Sequence, residues 1–297
     1  MNNSTKALPM THDISRALPG GSSLNLRKLR SFLIHAVVLA LVAIMLLPLV
    51  YMVMMSFKTG TEIAQDPLGL PSSLYWGNYM NALASMGYAR SVLNSIGITI
   101  SVIVIVVFAG AMAAYPLARL NNGWSRAIVM IMALGLATPN FVTITPIYVI
   151  FRDLGLLDTY IGIILAFAAL KLPLAVFFYT GFIAAIPTEL EEAARLDNCN
   201  SWQVFWHVIR PLLSPVTATL SLFVMLMVWN DFTYPLLLLT DKEKFTVMIA
   251  VYRFVGNTGI DPTMLFPAAV LGSLPLLILF AIFQRRIVSG ATAGAVK

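Results

Sequence analysis

Residues 31–57 carry no formal charge at neutral pH, and that run limits what the chain can fold into. At about 1.5 Å per residue, a helix of this length crosses a ~30 Å hydrocarbon core. Similar runs follow at 91–118, 127–151, about 160–183, 212–230 and about 263–284. Backbone polar groups in lipid must be satisfied internally, so each run is expected to be a spanning helix. Small residues in the second run point to close helix packing. Pro139 and Pro146 in the third mark a kink, or a break facing protein or a cavity. A cleaved signal peptide is the rival reading of 31–57, but the run is long, starts late and lacks a small-x-small cleavage site.

The chain is 59% hydrophobic and 11% charged, against about 25% charged in a soluble domain. Its net charge is +6, yet the basic residues flank apolar runs and form no patch, so no nucleic-acid partner is expected. A single cysteine excludes an internal disulfide, and His12, His35 and His207 have no ligand spacing. No paired carboxylates or nucleophile constellation points to a membrane enzyme. No inverted pair of broken helices points to a secondary transporter.

Six crossings put both termini on one side. With the N-terminus inside, twelve Lys and Arg fall in cytoplasmic parts and six outside (Lys58, Arg90, Arg152, Lys242, Lys244 and Arg253). That imbalance predicts N-inside and C-inside. The expected fold is an all-α membrane protein of six transmembrane helices. A cytoplasmic tail, 1–30, precedes the helical domain 31–286, and a second cytoplasmic tail spans 287–297. Loops 58–90 and 241–262 then lie outside, and 187–211 lies in the cytoplasm.

The Pro187–Pro211 segment, PTELEEAARLDNCNSWQVFWHVIRP, is too charged for lipid and too hydrophobic for a free linker. Thr188 and Glu191 are spaced as a capping box, and Glu191 faces Arg195 at i+4. Ser201 is placed to start a second short helix that ends near Pro211. Glu191, Glu192, Arg195 and Asp197 surround small Ala193 and Ala194, which permit close approach while the charges set register. From physics alone two readings stand: a docking helix for a cytoplasmic partner, or an ordinary solvated loop. The chain has no GxxxxGK[ST] phosphate loop, so any ATP is bound elsewhere.

Lys171 is the sharpest polar residue inside a run. An ammonium at that depth costs roughly 3 kcal/mol on insertion scales, so a cavity, a partner helix, or an acidic or carbonyl group is expected beside it. A pathway role and an interhelical anchor are both open. Asn230 and Asp231 are expected near the outer face, ordering the end of the fifth helix or facing a passing solute. Tyr148, Phe177, Phe178, Tyr179, Phe223, Trp229 and Phe232 are the aromatics that could stack on a sugar, although most membrane aromatics pack or anchor.

Glu192-Ala193-Ala194-Arg195-Leu196-Asp197, then Ile209-x-Pro211 and Pro215, resembles the EAA signature of ABC importer permeases. Asn94-Ser95, Tyr115-Pro116-Leu117-Ala118-Arg119, Gly155-Leu156-Leu157-Asp158-Thr159, Trp229-Asn230-Asp231-Phe232, Gln284-Arg285 and Gly294-Ala295-Val296-Lys297 occur in the order of the MalG-like sugar permeases. The resemblance covers roughly residues 30–297. Asn198 stands where the family usually has Gly, and Asn tolerates the same left-handed turn. Arg210 stands where the family usually has an aliphatic residue; its long stem allows snorkelling to the headgroup layer.

The resemblance implies a type I ABC importer transmembrane domain and a role as a permease subunit, not an enzyme. Its solute would be a carbohydrate, most readily an oligosaccharide, delivered by an extracytoplasmic binding protein. Partners would be a MalF-like second permease and two ATP-binding subunits, which alone would hold ATP and Mg²⁺, so this chain binds no cofactor. The setting would be a bacterial or archaeal cytoplasmic membrane. Glu191, Glu192, Ala193, Ala194, Arg195, Asp197 and Asn198 would form the coupling site, with Glu192 bonded to the ATPase. Lys171, Asn230 and Asp231 would line the pathway, and Gly290–Lys297 would reach the ATPase pair. A glycerol phosphodiester or phosphorylated polyol is the alternative solute; a self-contained channel or proton-coupled transporter is the alternative class.

Overall fold

The computed structural model describes residues 21–295 apart from 121, 257 and 258, with side chains from 30 to 282 apart from 121, 140 and 256–259. The N-terminal 20 residues, the side chains of Arg27 and Lys28, and those of Gln284 through Lys297 therefore lie outside the description, as does the expected tail contact to a partner. The chain divides into two units, Met1–Tyr51 and Met52–Lys297.

Helix α1 starts in the first unit at Gly21, ahead of the expected boundary, and runs Gly21–Ser56, its last five residues belonging to the second unit. From Phe32 to Val50 its large apolar side chains are exposed, as suits a lipid-facing helix.

The second unit continues with α2 (Gly60–Gln65) and α3 (Gly77–Met86). A capping box starts α2: the Thr59 hydroxyl accepts from the Glu62 amide, and the Glu62 carboxylate accepts from the Thr59 amide at 2.8 Å. The Ser72 hydroxyl, then the Thr59 amide, hold the Glu62 carboxyl down to about 2. Lys58 is buried and donates to the Asp66 carbonyl, so its charge ties the loop down from within.

Helix α4 (Tyr88–Leu120) is longer than its uncharged run, and Asn94-Ser95 lies inside it. The third run is two helices, α5 (Gly123–Ala137) and α6 (Asn140–Asp153), bent by 105° next to Pro139. Proline cannot donate an amide bond, and the preceding residue is pushed out of helical geometry, which accounts for the break. Thr159 caps α7 (Tyr160–Ala184) by accepting from the Gly162 amide at 2.9 Å.

Next come α8 (Glu189–Leu196), α9 (Ser201–Val204), a π-helical turn (Phe205–Ile209), α10 (Arg210–Leu212) and α11 (Ser214–Asn230). The α9–α10 stretch meets α11 at 72°. Short α12 (Thr233–Leu238) and α13 (Val247–Tyr252), and a two-residue antiparallel ladder of β1 (Val255–Gly256) with β2 (Gly259–Ile260), lead to α14 (Pro262–Ala295). Among the described residues, four helices are long and apolar enough to cross a membrane, or up to six if each bent pair is one span.

The core is the α4–α7 crossing. A Cβ on Gly110 would lie 2.5 Å from the Ala175 Cβ, so only glycine allows that approach. Val102, Val106 and Ala114 of α4 are buried with Ala166, Phe167 and Ile183 of α7 and Leu220 and Val224 of α11. Tyr179 is fully buried, and its hydroxyl is satisfied by Thr217 at 2.8 Å. A second core joins Ala82 and Met86 of α3 to Trp229, Val247, Ala268 and Leu271.

Candidate coupling and pathway sites

Glutamates fill the first turn of α8 and Arg195 its last, matching the helix dipole at both ends. The expected capping box is not formed. Thr188 has helical backbone angles and makes no side-chain cap bond, because Glu191 turns inward. Its Oε1 accepts from Arg119 Nε at 2.7 Å, and its Oε2 accepts from the Tyr115 hydroxyl at 2.8 Å. Arg119 also donates to the Ile186 carbonyl at 3.0 Å. The Glu191 side chain is 5% exposed and that of Arg119 18%, so this is a charged, hydrogen-bonded strut held largely out of water. The expected Glu191–Arg195 pair is likewise replaced. Arg195 instead lines a pocket of about 360 Å³ with Tyr115, Arg119, Trp202 and Phe205.

Beyond Glu191, α8 is open. Glu192, Ala193, Arg195, Leu196 and Asp197 are exposed, and Ala194 is half-buried. Leu196, at 84% exposed, is an apolar tip between charged neighbours. Asn198 then takes φ 61°, and the helix closes with Asn198 N donating to the Arg195 carbonyl and Cys199 N to the Ala194 carbonyl, both at 3.0 Å. The left-handed turn expected at Asn198 is present. The next helix starts at Ser201, as expected, and Asn200 caps it in a reciprocal capping box with Gln203.

The aromatic run after that cap fixes the segment to α4. Phe205 packs on Tyr115 with ring centroids 5.6 Å apart, and Trp206 on Phe108 at 5.9 Å. Ile209 and Leu213 are buried beneath them. The sequence reading missed the partnership of Arg119 and Tyr115 with this segment. Its signal was present: one arginine and one tyrosine a helical turn apart, at the end of an uncharged run.

Lys171 is half-buried and lines a cavity of about 420 Å³ with Thr138, Pro139, Thr143 and Met227, at the bend between α5 and α6. It interacts electrostatically with Asp231. The structure thus brings these two residues together. Asp231 also has structural work: its Oδ1 accepts from the amides of Thr233 and Tyr234 at 2.9 and 3.2 Å, which starts α12 rather than finishing α11. Asn230 is exposed and donates back to the Leu226 carbonyl at 2.9 Å. Of the aromatics, Tyr179 and Trp229 are buried and Phe232 stacks on Tyr252, while Phe177 and Phe223 are exposed.

In the loop between α6 and α7, Asp158 takes φ 55° and clasps the loop after α12. Its Oδ1 accepts from the amides of Thr240 and Asp241, both at 3.0 Å, and its Oδ2 pairs with Lys244 Nζ at 3.0 Å. The Asp241 amide, then Lys244 and Thr240, hold its carboxyl down to about 2, while the Asp158 hydrogen bond raises the Lys244 ammonium above its ordinary value.

Residues 106–292 match the family described as binding-protein-dependent transport system inner membrane component. The chain is 34% identical to the diacetylchitobiose uptake system permease protein NgcG of Streptomyces coelicolor, covering 89% of this chain and 88% of that one. It is 36% identical to the trehalose transport system permease protein SugB of Mycobacterium tuberculosis, over 85% of this chain and 92% of that one. Its fold is similar to a chain of the crystal structure of a bacterial ABC transporter involved in importing the acidic polysaccharide alginate. That likeness has a TM-score of 0.74 at 25% identity, over 87% of this chain and 97% of that one.

Proposed function

The chain belongs to the family of binding-protein-dependent transport system inner membrane components, and from that premise we propose that it is one permease subunit of an ATP-driven carbohydrate importer. A permease of this family is not itself an enzyme. The solute is an oligosaccharide, handed over by an extracytoplasmic binding protein and released into the cytoplasm. A second permease completes the pathway, and two ATP-binding subunits supply the work.

The strut from Arg119 to Glu191 carries this reading. A helix that only covered the end of a bundle would have no need of a buried charged link to a spanning helix. Here the link joins α4, through Arg119 and Tyr115, to a short helix that is open beyond Glu191. In this mechanism Glu192, Ala193, Arg195, Leu196 and Asp197 seat in a cleft of the ATPase. When the ATP-bound subunits close, α8 moves with them, the strut pulls on α4, and the α4–α7 pair turns as one body because Gly110 and Ala175 lock it. The pathway alternates from inward-facing to outward-facing.

Lys171 and Asp231 lie on that pathway. Their opposite charges offset each other, which suits an uncharged polyhydroxylated solute better than a phosphodiester, where several convergent cations would be needed. The test is ATP hydrolysis by the purified complex in lipid nanodiscs, with binding proteins loaded with di- and oligosaccharides, monosaccharides and glycerol phosphodiesters. Stimulation by an oligosaccharide-loaded binding protein is expected. Stimulation by phosphodiesters alone would overturn the solute assignment, and an inability to recruit any ATPase would overturn the importer.

A further inference from the structure

Arg210 has no part in the coupling strut, yet it stands at the mouth of a cleft of about 520 Å³. The walls are Val104, Val107 and Phe108 of α4, Tyr179 of α7, and Phe205 and Trp206 of the π turn. We propose that this cleft binds an anionic phospholipid, its phosphate on Arg210 and an acyl chain along Val104, Val107 and Phe108.

Three observations converge on that ligand. Arg210 is exposed and forms no ion pair among the described residues. Its guanidinium lies 4.7 Å over the Trp206 ring, which fixes the cation while leaving its donors free. The cleft opens outward on a spanning helix, where Val104 and Phe108 are 60% and 49% exposed. Among the described residues, Arg210 is the only charged one lining it, with the Ser214 hydroxyl alongside.

The chemistry selects an amphiphile. A guanidinium at an apolar surface needs an anion, and a phosphate matches its paired donors. A lipid supplies the anion and an apolar tail in one molecule. Trp206 and Arg210 are four residues apart and so share one face of the segment, which Trp206 packs on Phe108 of α4. A lipid bound there contacts α4 and the segment that carries α8, so its occupancy bears on how firmly the two are joined.

This site depends on the chain spanning a membrane and not on what it transports, so its failure and the importer's failure are separable. The experiment takes the chain with the partners that remain bound, equilibrates it in nanodiscs of phosphatidylcholine with increasing phosphatidylglycerol, and counts retained lipids by native mass spectrometry. Wild type is expected to retain phosphatidylglycerol over phosphatidylcholine. Arg210→Gln and Arg210→Leu should each lower that retention about five- to tenfold, with Arg210→Lys in between. A photo-crosslinker at Val104 should capture lipid. Equal retention by either variant, capture of a protein subunit at Val104, or displacement of the lipid by millimolar inorganic phosphate would overturn the assignment.

Discussion

Arg119 reaches across from the end of a spanning helix to hold Glu191, Nε to Oε1 at 2.7 Å, with Tyr115 on the second carboxylate oxygen at 2.8 Å. The same carboxylate that begins α8 is thus fixed to α4. Movement of one helix has to be shared by the other, or a buried ion pair has to break.

Breaking the pair from one side should be costly. Arg119→Met leaves the Glu191 carboxylate buried and short of a partner, with an expected loss of about 3–5 kcal/mol in stability. Thermal unfolding of the purified complex reads that loss. Glu191→Gln keeps the shape and one hydrogen bond, so it should assemble while uptake per ATP hydrolysed falls. A normal ratio of uptake to hydrolysis in Glu191→Gln would remove the strut from the mechanism.

Asn198 occupies a left-handed conformation at φ 61°. Asn198→Gly should fold as well as wild type or better. Asn198→Val puts a β-branched side chain where L-residues are strained, by about 1–2 kcal/mol, and should loosen the end of α8. Hydrogen exchange at the amides of Asn198 and Cys199 would show it; equal protection in both variants would contradict the closing role of this turn.

The Asp158 clasp should release in acid. Its carboxyl lies at about 2 in the folded chain against an ordinary 3.8. A depressed carboxyl contributes stability that is fully present above 3.8 and is lost as the pH falls toward 2. Lys244, raised, contributes stability below its ordinary value that is lost as the pH rises through its folded one, so neutral pH leaves the pair intact. Exchange protection at Thr240 and Asp241, corrected for intrinsic rates, should fall between pH 4 and 2. Asp158→Asn should flatten that transition.

Lys171→Met keeps an unbranched side chain one atom shorter and removes the charge beside Asp231. The variant is expected to assemble, because Asp231 retains its two amide donors, and to transport more slowly or with altered solute preference. Normal uptake and preference in a normally assembled complex would leave Lys171 as a packing anchor only.

The apolar runs of 91–118 and about 160–183 located α4 and α7 closely, because lipid leaves the backbone little choice but helix. Pro139 marked the break between α5 and α6 because a missing amide is visible in one letter. The fate of Glu191 was not legible. Spacing along the helix offered Thr188 and Arg195 as partners, while the structure joins it to Arg119 and Tyr115, far away in the chain. Local patterns list the bonds a residue could make; tertiary packing decides which one excludes water. Asn198 was legible for the opposite reason, since its role is a backbone angle and depends on no distant partner. Asp231 was half legible: its place beyond Asn230 was clear, but its capping of α12 required knowing that the chain breaks there.

The central claim is that α8 faces the cytoplasm and seats in an ATPase. Ala193, exposed on α8, is the place to ask. In a Cys199→Ser background, which removes the chain's one cysteine, Ala193→Cys should react with a membrane-impermeant maleimide in inside-out vesicles stripped of ATPase. It should be shielded when the ATPase is added back, and remain unlabelled in sealed right-side-out vesicles. Labelling from the outer side, or labelling indifferent to the ATPase, would contradict the account.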